Sequence, residues 1–289
     1  MLIAQITDLH VVEHNEKAYG GRVDSNALLK GAIDRLNRLS PQPDLIIATG
    51  DLADHGRPEE YHKLRELLAE VKAPIAVVIG NHDKREIFRE ELGHFEYLPK
   101  SGFIHYVLET RPVRVIVLDS TSDHRHDGDF CDERAAWLEA RLSEADSVPT
   151  VVALHHPPFD TGIKWMDGQG SDWAKPLVDV IARYPNIVRI ICGHLHRPIF
   201  TEVVGCTVTV APSTAHQVAL DLSPDFDIAT QLPEFELEPP GFQLHSWDGT
   251  RLRTHSLHVQ EWERIEPVTR EMLAKLMASH QTDEKTFAF

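Results

Sequence analysis

The chain has 289 residues, of which 42% are apolar, and its 29 basic and 45 acidic residues give a net charge of −16. This length fits one large domain or a core domain with an appended piece, and the apolar share allows a substantial core. The acidic balance argues against binding to long nucleic acid, because few cations oppose the phosphates, but it leaves small anionic substrates open.

The cysteines and the N-terminus indicate a cellular compartment. The three cysteines, Cys131, Cys192 and Cys206, form no CxxC pair, which is typical of a reducing compartment. The N-terminus lacks the basic region of a signal peptide, and no apolar run approaches the ~20 residues that span a bilayer. We therefore expect a cytoplasmic protein that does not bind membranes.

Short apolar runs alternate with helical patterns as far as residue 210. The predicted strands cover residues 2–6, 45–48, 75–79, 103–108, 113–118, 151–154, 187–192, 199–204 and 206–210. The predicted helices cover residues 23–39, 58–71, 132–144 and 172–183, and Asp132 is expected to cap the third. Continuous apolar strands separated by helices favour an α/β core whose sheets are covered on both sides.

The composition changes after residue 216. Residues 217–244 contain six acidic side chains, four prolines and no Lys or Arg, and we expect an irregular lid or a contact with a second subunit. A hairpin with Asp248-Gly249 at its turn should follow, and then an amphipathic helix carrying Val268, Met272 and Leu276. We divide the chain into a core of residues 1–216, an acidic excursion with the hairpin at 217–259, and a C-terminal helix and tail at 260–289.

Side chains suited to metal binding follow five of the predicted strands. They occur in the stretches Asp8-Leu9-His10, Gly50-Asp51, Gly80-Asn81-His82-Asp83, His155-His156 and Gly193-His194-Leu195-His196. Carboxyl ends of strands in α/β sheets converge on one edge, so these side chains should form one composite site. Residues two apart on an extended strand point to the same side, which predicts that Asp8 and His10, and likewise His194 and His196, act in pairs.

The donor types favour particular metals. Imidazole nitrogens together with carboxylate and amide oxygens suit Zn²⁺, Fe, Mn²⁺ or Co²⁺ better than Ca²⁺. Each stretch alone is more often an ordinary polar loop or turn, but all five at strand ends indicate a site. The candidate ligands suffice for two ions if one carboxylate bridges them; they are Asp8, His10, Asp51, Asn81, His155, His194 and His196.

The same stretches resemble a known family. "DLH", "GDLADHG", "GNHD", "LHHPP" and "GHLH" are similar to the five signature blocks of the calcineurin-like metallophosphoesterases, and the resemblance spans residues 3–217. It implies a four-layer α/β/β/α sandwich with a small C-terminal extension. "AYGGRVDSN", "GRPEEY" and "STAHQV" resemble a bacterial subgroup that contains glycerophosphodiesterases and class III cyclic-nucleotide phosphodiesterases.

The resemblance also implies a role for each residue. The ligands of the first ion would be Asp8, His10, Asp51 and His196, and those of the second would be Asp51, Asn81, His155 and His194. His82 would contact the phosphoryl group with Asp83 as its partner, and Asn81 would both bind metal and orient the substrate. His216 would be a further substrate-side histidine.

These observations predict a dinuclear metal-dependent hydrolase that cleaves small phosphodiesters of the glycerophosphodiester type. The nucleophile would be a hydroxide that bridges the two ions, which activate water near neutral pH. The main alternative is a 3′,5′-cyclic nucleotide phosphodiesterase, and a phosphomonoesterase is a weaker option. A metal-free protein-binding module on the same scaffold would be expected to lack ligands, and none is missing. We also expect a homo-oligomer, a dimer or larger.

Overall fold

The computed structural model describes residues 1–123, 125–263 and 269–283. The strands are β1 (Leu2–Ile6), β2 (Leu45–Thr49), β3 (Ile75–Val78), β4 (Tyr106–Leu108), β5 (Arg114–Val117), β6 (Thr150–Ala153), β7 (Ile187–Cys192), β8 (Ile199–Val203), β9 (Cys206–Val210), β10 (Gln217–Val218), β11 (Phe235–Glu236), β12 (Gly241–Trp247) and β13 (Leu252–His258). The helices are α1 (Ala18–Gly21), α2 (Ser25–Asn37), α3 (Pro58–Leu68), α4 (Arg85–Glu91), α5 (Asp132–Ser143), α6 (Lys164–Asp167), α7 (Lys175–Ile181) and α8 (Arg270–Asp283).

The strands form two large sheets. The first has the order β13-β12-β1-β2-β3, in which β1, β2 and β3 are parallel. The second has the order β4-β5-β6-β7-β9-β8, in which β5, β6, β7 and β9 are parallel and the edge strands β4 and β8 are antiparallel. Because parallel neighbours end on the same side, the carboxyl ends of the central strands lie along one edge of each sheet.

Successive side chains of β5 in the second sheet point to opposite faces, which shows how the layers stack. Val115 and Val117 pack into the core that the second sheet shares with the first, whereas Ile116 between them packs against outer helices. Helices α2, α3 and α4 contribute to the core of the first sheet, and α5 and α7 cover the outer face of the second. The predicted α/β architecture of two sheets flanked by helices is confirmed.

The predicted hairpin belongs to the first sheet. We placed it outside the core, with the acidic excursion, but β12 pairs antiparallel with β1 and brings β13 with it. Phe242 on β12 is fully buried in the core of that sheet. The predicted core boundary at residue 216 is therefore too early for this hairpin, because strand pairing across more than 200 residues cannot be inferred from a local pattern.

Two helix predictions need correction. Asp132 is the first residue of α5 rather than its cap, and Cys131 occupies the cap position without a side-chain cap bond. The helix predicted at 172–183 is a 3₁₀ turn, Asp172–Ala174, followed by α7. Pro176 explains the break, because a residue without an N–H fits only the first turn of a helix.

The segment between β10 and β12 is mostly irregular. Its ends are joined by a short antiparallel pair, in which Val218 faces Phe235. Its remaining large apolar side chains are exposed to solvent in the single chain; they are Leu220, Leu222, Ile228, Leu232 and Leu237. A second subunit that covers them stays a prediction.

The C-terminal region forms helix α8. Met272 and Leu273 on this helix are exposed. Val268 and the side chain of Leu276, which we assigned to its apolar face, lie outside the described residues. No helix among the described residues combines the length and the apolar character needed to cross a bilayer.

Candidate metal centre

The structure brings the side chains of all seven predicted ligands together where the two sheets meet. The first sheet supplies Asp8, His10, Asp51 and Asn81, and the second supplies His155, His194 and His196. The contacts cross from sheet to sheet. Asp8 Oδ1 lies 3.3 Å from His196 Nε2, and Asp51 Oδ2 and Asn81 Oδ1 lie 3.3 and 3.0 Å from His155 Nε2.

The outer ring nitrogens of the histidines are held by oxygen acceptors. His10 Nδ1 donates to the Asp54 carboxylate at 3.0 Å, and His196 Nδ1 donates to the carbonyl of His216 at 2.9 Å. His155 Nδ1 donates to the carbonyl of Thr49 at 2.8 Å. Because neither a carbonyl nor a carboxylate can donate, each of these rings carries its proton on Nδ1 when neutral, which leaves Nε2 with a free lone pair.

The inner ring nitrogens provide the test of a metal site. His10 Nε2 and His196 Nε2 face each other at 3.2 Å, and both rings are buried. Two free lone pairs at this distance repel each other unless a cation or a proton lies between or beside them. The carboxylates of Asp8 and Asp51 complete two buried clusters, Asp8 with His10 and His196, and Asp8 with Asp51 and His155. This donor set fits divalent transition metals.

Left-handed backbone presents these side chains. Asp8 and His10 have φ values of 51° and 44°, Asp51 has 49°, and His194 and His196 have 71° and 52°. Non-glycine residues rarely adopt these angles, and each is expected to cost about 1–3 kcal/mol. Our prediction that the paired residues share one side of an extended strand is therefore wrong, because both pairs follow the strand end and lie on tight turns.

Two glycines allow the turns to approach the cluster. Gly50 has a φ of 96°, and a Cβ placed there would lie 2.4 Å from the His155 ring. A Cβ on Gly193 would lie 2.0 Å from Thr7 Oγ1 and 2.9 Å from an oxygen of Asp8. Any side chain at either position would displace a donor.

Comparison with known proteins agrees with this geometry. Residues 1–198 match the family model described as "Calcineurin-like phosphoesterase". The chain belongs to this family.

The similarity of this phosphoesterase to its relatives covers most of the chain. It is 34% identical over 249 residues to a glycerophosphodiester phosphodiesterase of Enterobacter lignolyticus, covering 85% of this chain and 86% of that one. It is 29% identical over 268 residues to a 3′,5′-cyclic adenosine monophosphate phosphodiesterase of Escherichia coli, covering 92% of both. These relatives confirm the predicted family and support the predicted enzyme class, a metal-dependent phosphodiesterase.

A solved structure shares the fold. A dimetal phosphatase from Danio rerio superimposes with a TM-score of 0.63 at 14% identity, covering 90% of this chain and 97% of that one. At this level of identity the likeness shows the fold alone, and it agrees with the predicted sandwich.

His82 of this phosphoesterase lies beside the cluster, but its predicted partner is wrong. Its Nδ1 donates to the carbonyl of Asp54 at 2.7 Å, and its Nε2 lies 4.0 Å from Asp51 Oδ2. Burial opposes protonation of His82, but the Asp51 carboxylate and the Asp54 carbonyl outweigh it, so its pKa is raised.

Asp83 holds the backbone of the ligand loops instead of orienting His82. Its carboxylate accepts hydrogen bonds from the N–H groups of Leu52, Ala53 and Gly80 at 3.2, 3.2 and 2.9 Å. It also accepts from the Tyr61 hydroxyl at 2.7 Å. Burial, reinforced by the charge of Asp51, raises the pKa of Asp83 to about 6. Asp83 thus fixes the turns that carry Asp51 and Asn81.

His216 is buried at the edge of the cluster. Its ring centroid lies 4.5 Å from that of His196 and 3.6 Å from that of Tyr19, and Phe235 lies 5.1 Å away. Neither of its ring nitrogens has a hydrogen-bond partner among the described residues. Phe235 comes from the acidic excursion, so this segment contributes one aromatic ring to the cover of the site.

Sequence reasoning gave no role to two residues that orient the donors. Asp54 lies in the quoted block "GDLADHG" and binds His10 through its side chain and His82 through its backbone. His126 Nδ1 lies 3.0 Å from Asn81 Nδ2, which directs the amide oxygen of Asn81 toward His155. A histidine that binds a metal usually donates its second ring N–H to an acceptor, and this requirement is the signal that could have identified Asp54.

Proposed function

We propose that the protein is a dinuclear metal-dependent phosphodiesterase that hydrolyses small phosphodiesters, with glycerophosphodiesters as the first candidate class. The observation that carries this proposal is the pair of facing Nε2 atoms of His10 and His196, flanked by buried carboxylates. The relative from Enterobacter lignolyticus supports the substrate class.

The ligands would divide between two ions that share Asp51. Asp51 suits the shared position because it is fully enclosed and its carboxylate lies near histidines on both sides, with His10 Nε2 at 3.9 Å and His155 Nε2 at 3.3 Å. The first ion would be held by Asp8, His10, Asp51 and His196, and the second by Asp51, Asn81, His155 and His194. Mixed nitrogen and oxygen donors favour Fe, Mn, Zn or Co at both positions.

When bound, the ions would neutralise the phosphoryl oxygens and activate water near neutral pH. The chain's own groups would position the substrate. His82 Nδ1 is engaged with the Asp54 carbonyl, so its Nε2 is the atom available to a phosphoryl or leaving-group oxygen. The amide of Asn81 is fixed between His155 and His126. His216, which is buried against Tyr19 and Phe235, would support the substrate side.

A 3′,5′-cyclic nucleotide is the second candidate substrate, supported by the relative from Escherichia coli. A cleft of about 1290 Å³ opens beside Asn81 and His82. Its walls are mainly charged and polar, and Tyr19 is the aromatic side chain there besides the histidines. A nucleobase is usually bound by stacking on aromatic rings, so the polar walls favour a polar alcohol such as glycerol.

A panel of substrates tests the proposal. The purified protein would be freed of metal, reloaded with Mn²⁺, Co²⁺, Zn²⁺ or Fe²⁺, and assayed with glycerophosphodiesters, cyclic nucleotides and the matched monoesters. We expect metal-dependent turnover of diesters, highest with the glycerophosphodiesters. A protein that binds none of these metals would instead support the metal-free binding module, and highest turnover of cyclic nucleotides would support the second candidate.

A further inference from the structure

The cleft beside the metal centre is rich in basic side chains, although the whole chain is acidic. Five Lys and Arg residues line it: Lys17, Lys84, Arg85, Arg89 and Arg125. The chain has 45 acidic residues for 29 basic ones, so five basic side chains around one opening depart from its overall composition. Their collection around one opening therefore requires an explanation.

Four of these cations form no ion pair with any described residue. One of the four, Arg89, donates instead to the backbone carbonyls of Pro99 and Gly102, which leaves three without a side-chain partner among those residues. Lys17, Lys84 and Arg125 are all exposed, and no carboxylate of the described part of the chain lies within ion-pair distance of them. Arg85, in contrast, binds Asp119 at 2.7 Å and also contacts Asp123.

The acidic residues of the cleft do not form ion pairs with these three cations. Asp54 binds His10, Asp83 accepts hydrogen bonds from backbone amides, and Asp123 is paired with Arg85. Glu86 is the acidic lining residue for which the described structure shows no such partner. Five cations and four carboxylates line the cleft, so its lining carries a net charge of +1 while the whole chain carries −16.

The three unpaired cations come from three different loops, each tied to the metal centre. Lys17 precedes Tyr19 by two residues, and the Tyr19 ring lies 5.6 Å from the ring of His10. Lys84 follows His82 by two residues.

The third cation has the same relation to the centre. Arg125 directly precedes His126, whose ring lies 5.6 Å from that of His82 and whose Nδ1 contacts Asn81. All three cations line the cleft onto which His82 and Asn81 open, so they would lie beyond the phosphoryl group of a bound substrate.

We propose that the basic wall formed by Lys17, Lys84 and Arg125 is a subsite for a second negative charge on the substrate, so that the preferred diester carries a phosphate or carboxylate on its alcohol. The inference rests on the proposed function. Steering by the whole chain, whose net charge is −16, would disfavour the more negative diester, so a preference for that diester must come from local cations such as those of the cleft.

A matched series of glycerophosphodiesters measures this discrimination. The alcohol would be choline, glycerol, glycerate or glycerol phosphate, so that its charge runs from positive to doubly negative while the reacting group stays the same. We expect kcat/KM for the glycerol phosphate diester to exceed that for the glycerol diester by about tenfold or more at low ionic strength. The glycerate and glycerol phosphate arms separate a carboxylate site from a phosphate site.

Charge-removing variants assign the effect to the wall. Lys84→Gln should lower the ratio of the two kcat/KM values about threefold or more, and the triple variant Lys17→Gln, Lys84→Gln, Arg125→Gln should bring it to about one. Lys72→Gln is the matched control, because Lys72 is exposed and precedes β3 at the opposite end of the sheet. It should leave the ratio unchanged.

Two outcomes would overturn the inference: a wild-type ratio of about one, or a ratio that the triple variant preserves. If the diester with the neutral alcohol is hydrolysed and the charge of the alcohol has no effect, the subsite is refuted and the proposed function stands. Calorimetry compares the binding affinities of glycerol bisphosphate and glycerol phosphate, and it tests the subsite even if no diester is hydrolysed. Tighter binding of the bisphosphate, lost in the triple variant, supports the subsite, and equal binding refutes it.

Discussion

Replacing Asp54 should weaken metal binding although Asp54 is not among the proposed ligands. Its carboxylate accepts the Nδ1 proton of His10 at 3.0 Å, which fixes the ring and makes Nε2 more basic. The hydrogen bond of Asp54 to His82 uses the backbone carbonyl, so Asp54→Ala leaves that contact in place. The substitution therefore removes the support of His10, together with a contact at 3.3 Å between the Asp54 carboxylate and Nδ1 of the exposed His55.

The expected magnitude follows from the type of contact. Losing a carboxylate that orients a ligating histidine costs about 10- to 100-fold in metal affinity, or about 1.4–2.7 kcal/mol. Asp54→Asn keeps an oxygen acceptor but loses the charge, so its loss should be smaller than that of Asp54→Ala.

Titration of the metal-free protein with Mn²⁺ or Co²⁺ against a competing chelator measures the affinities. Asp44→Ala is the matched control, because it removes a carboxylate that binds the N–H of Leu2 at the opposite end of β1. An Asp54→Ala variant that keeps its thermal stability and binds metal as tightly as the wild type would refute the reasoning.

Four further predictions address the bridging ligand, catalysis, pH and assembly. Asp51→Ala should reduce bound metal to one ion or none by elemental analysis, and retention of two ions would contradict its shared position. His82→Ala should keep the metal but lower kcat by about 10²–10⁴-fold, with a smaller loss for an aryl leaving group than for an alkyl one if His82 donates a proton. Burial lowers the pKa of His105 to about 4, so its neutral form contributes stability above pH 6.5 that is lost as the pH falls toward 4. Between pH 6.5 and pH 4 the free energy of unfolding, measured with urea, should fall by up to about 3 kcal/mol less in His105→Gln than in the wild type. Equal losses in the two proteins would contradict this prediction. Leu232→Asp, at an exposed apolar side chain of the acidic excursion, should lower the mass found by light scattering, whereas a wild-type protein that is monomeric at micromolar concentration would exclude the subunit contact.

Local sequence determined which residues could act. Short apolar runs rich in β-branched residues favour strands, and the polar residues that follow a strand then lie at the edge of the sheet. The donors from Asp8 to His196 were therefore identifiable before the structure was known. Pro58 and the helical spacing of apolar residues likewise indicated the start of α3.

Only the tertiary structure decided how these residues meet. The pairing of β12 with β1 and the stacking of the two sheets join residues more than 180 positions apart, as in the contact between His10 and His196. Left-handed turns at Asp8, Asp51 and His194 are unfavourable by themselves and persist because the surrounding packing and hydrogen bonds hold them.

The tertiary structure also decided which residues hold the candidate donors. Asp83 is next to His82 in the chain, yet its carboxylate binds the amides of another loop, and Asp54 from that loop binds His82 instead. Adjacent residues on a tight turn point in different directions, so neighbours in sequence need not be partners in space. The sequence thus determined which residues are candidate donors, and the fold determined their geometry, because backbone torsions and long-range packing set the direction of each side chain.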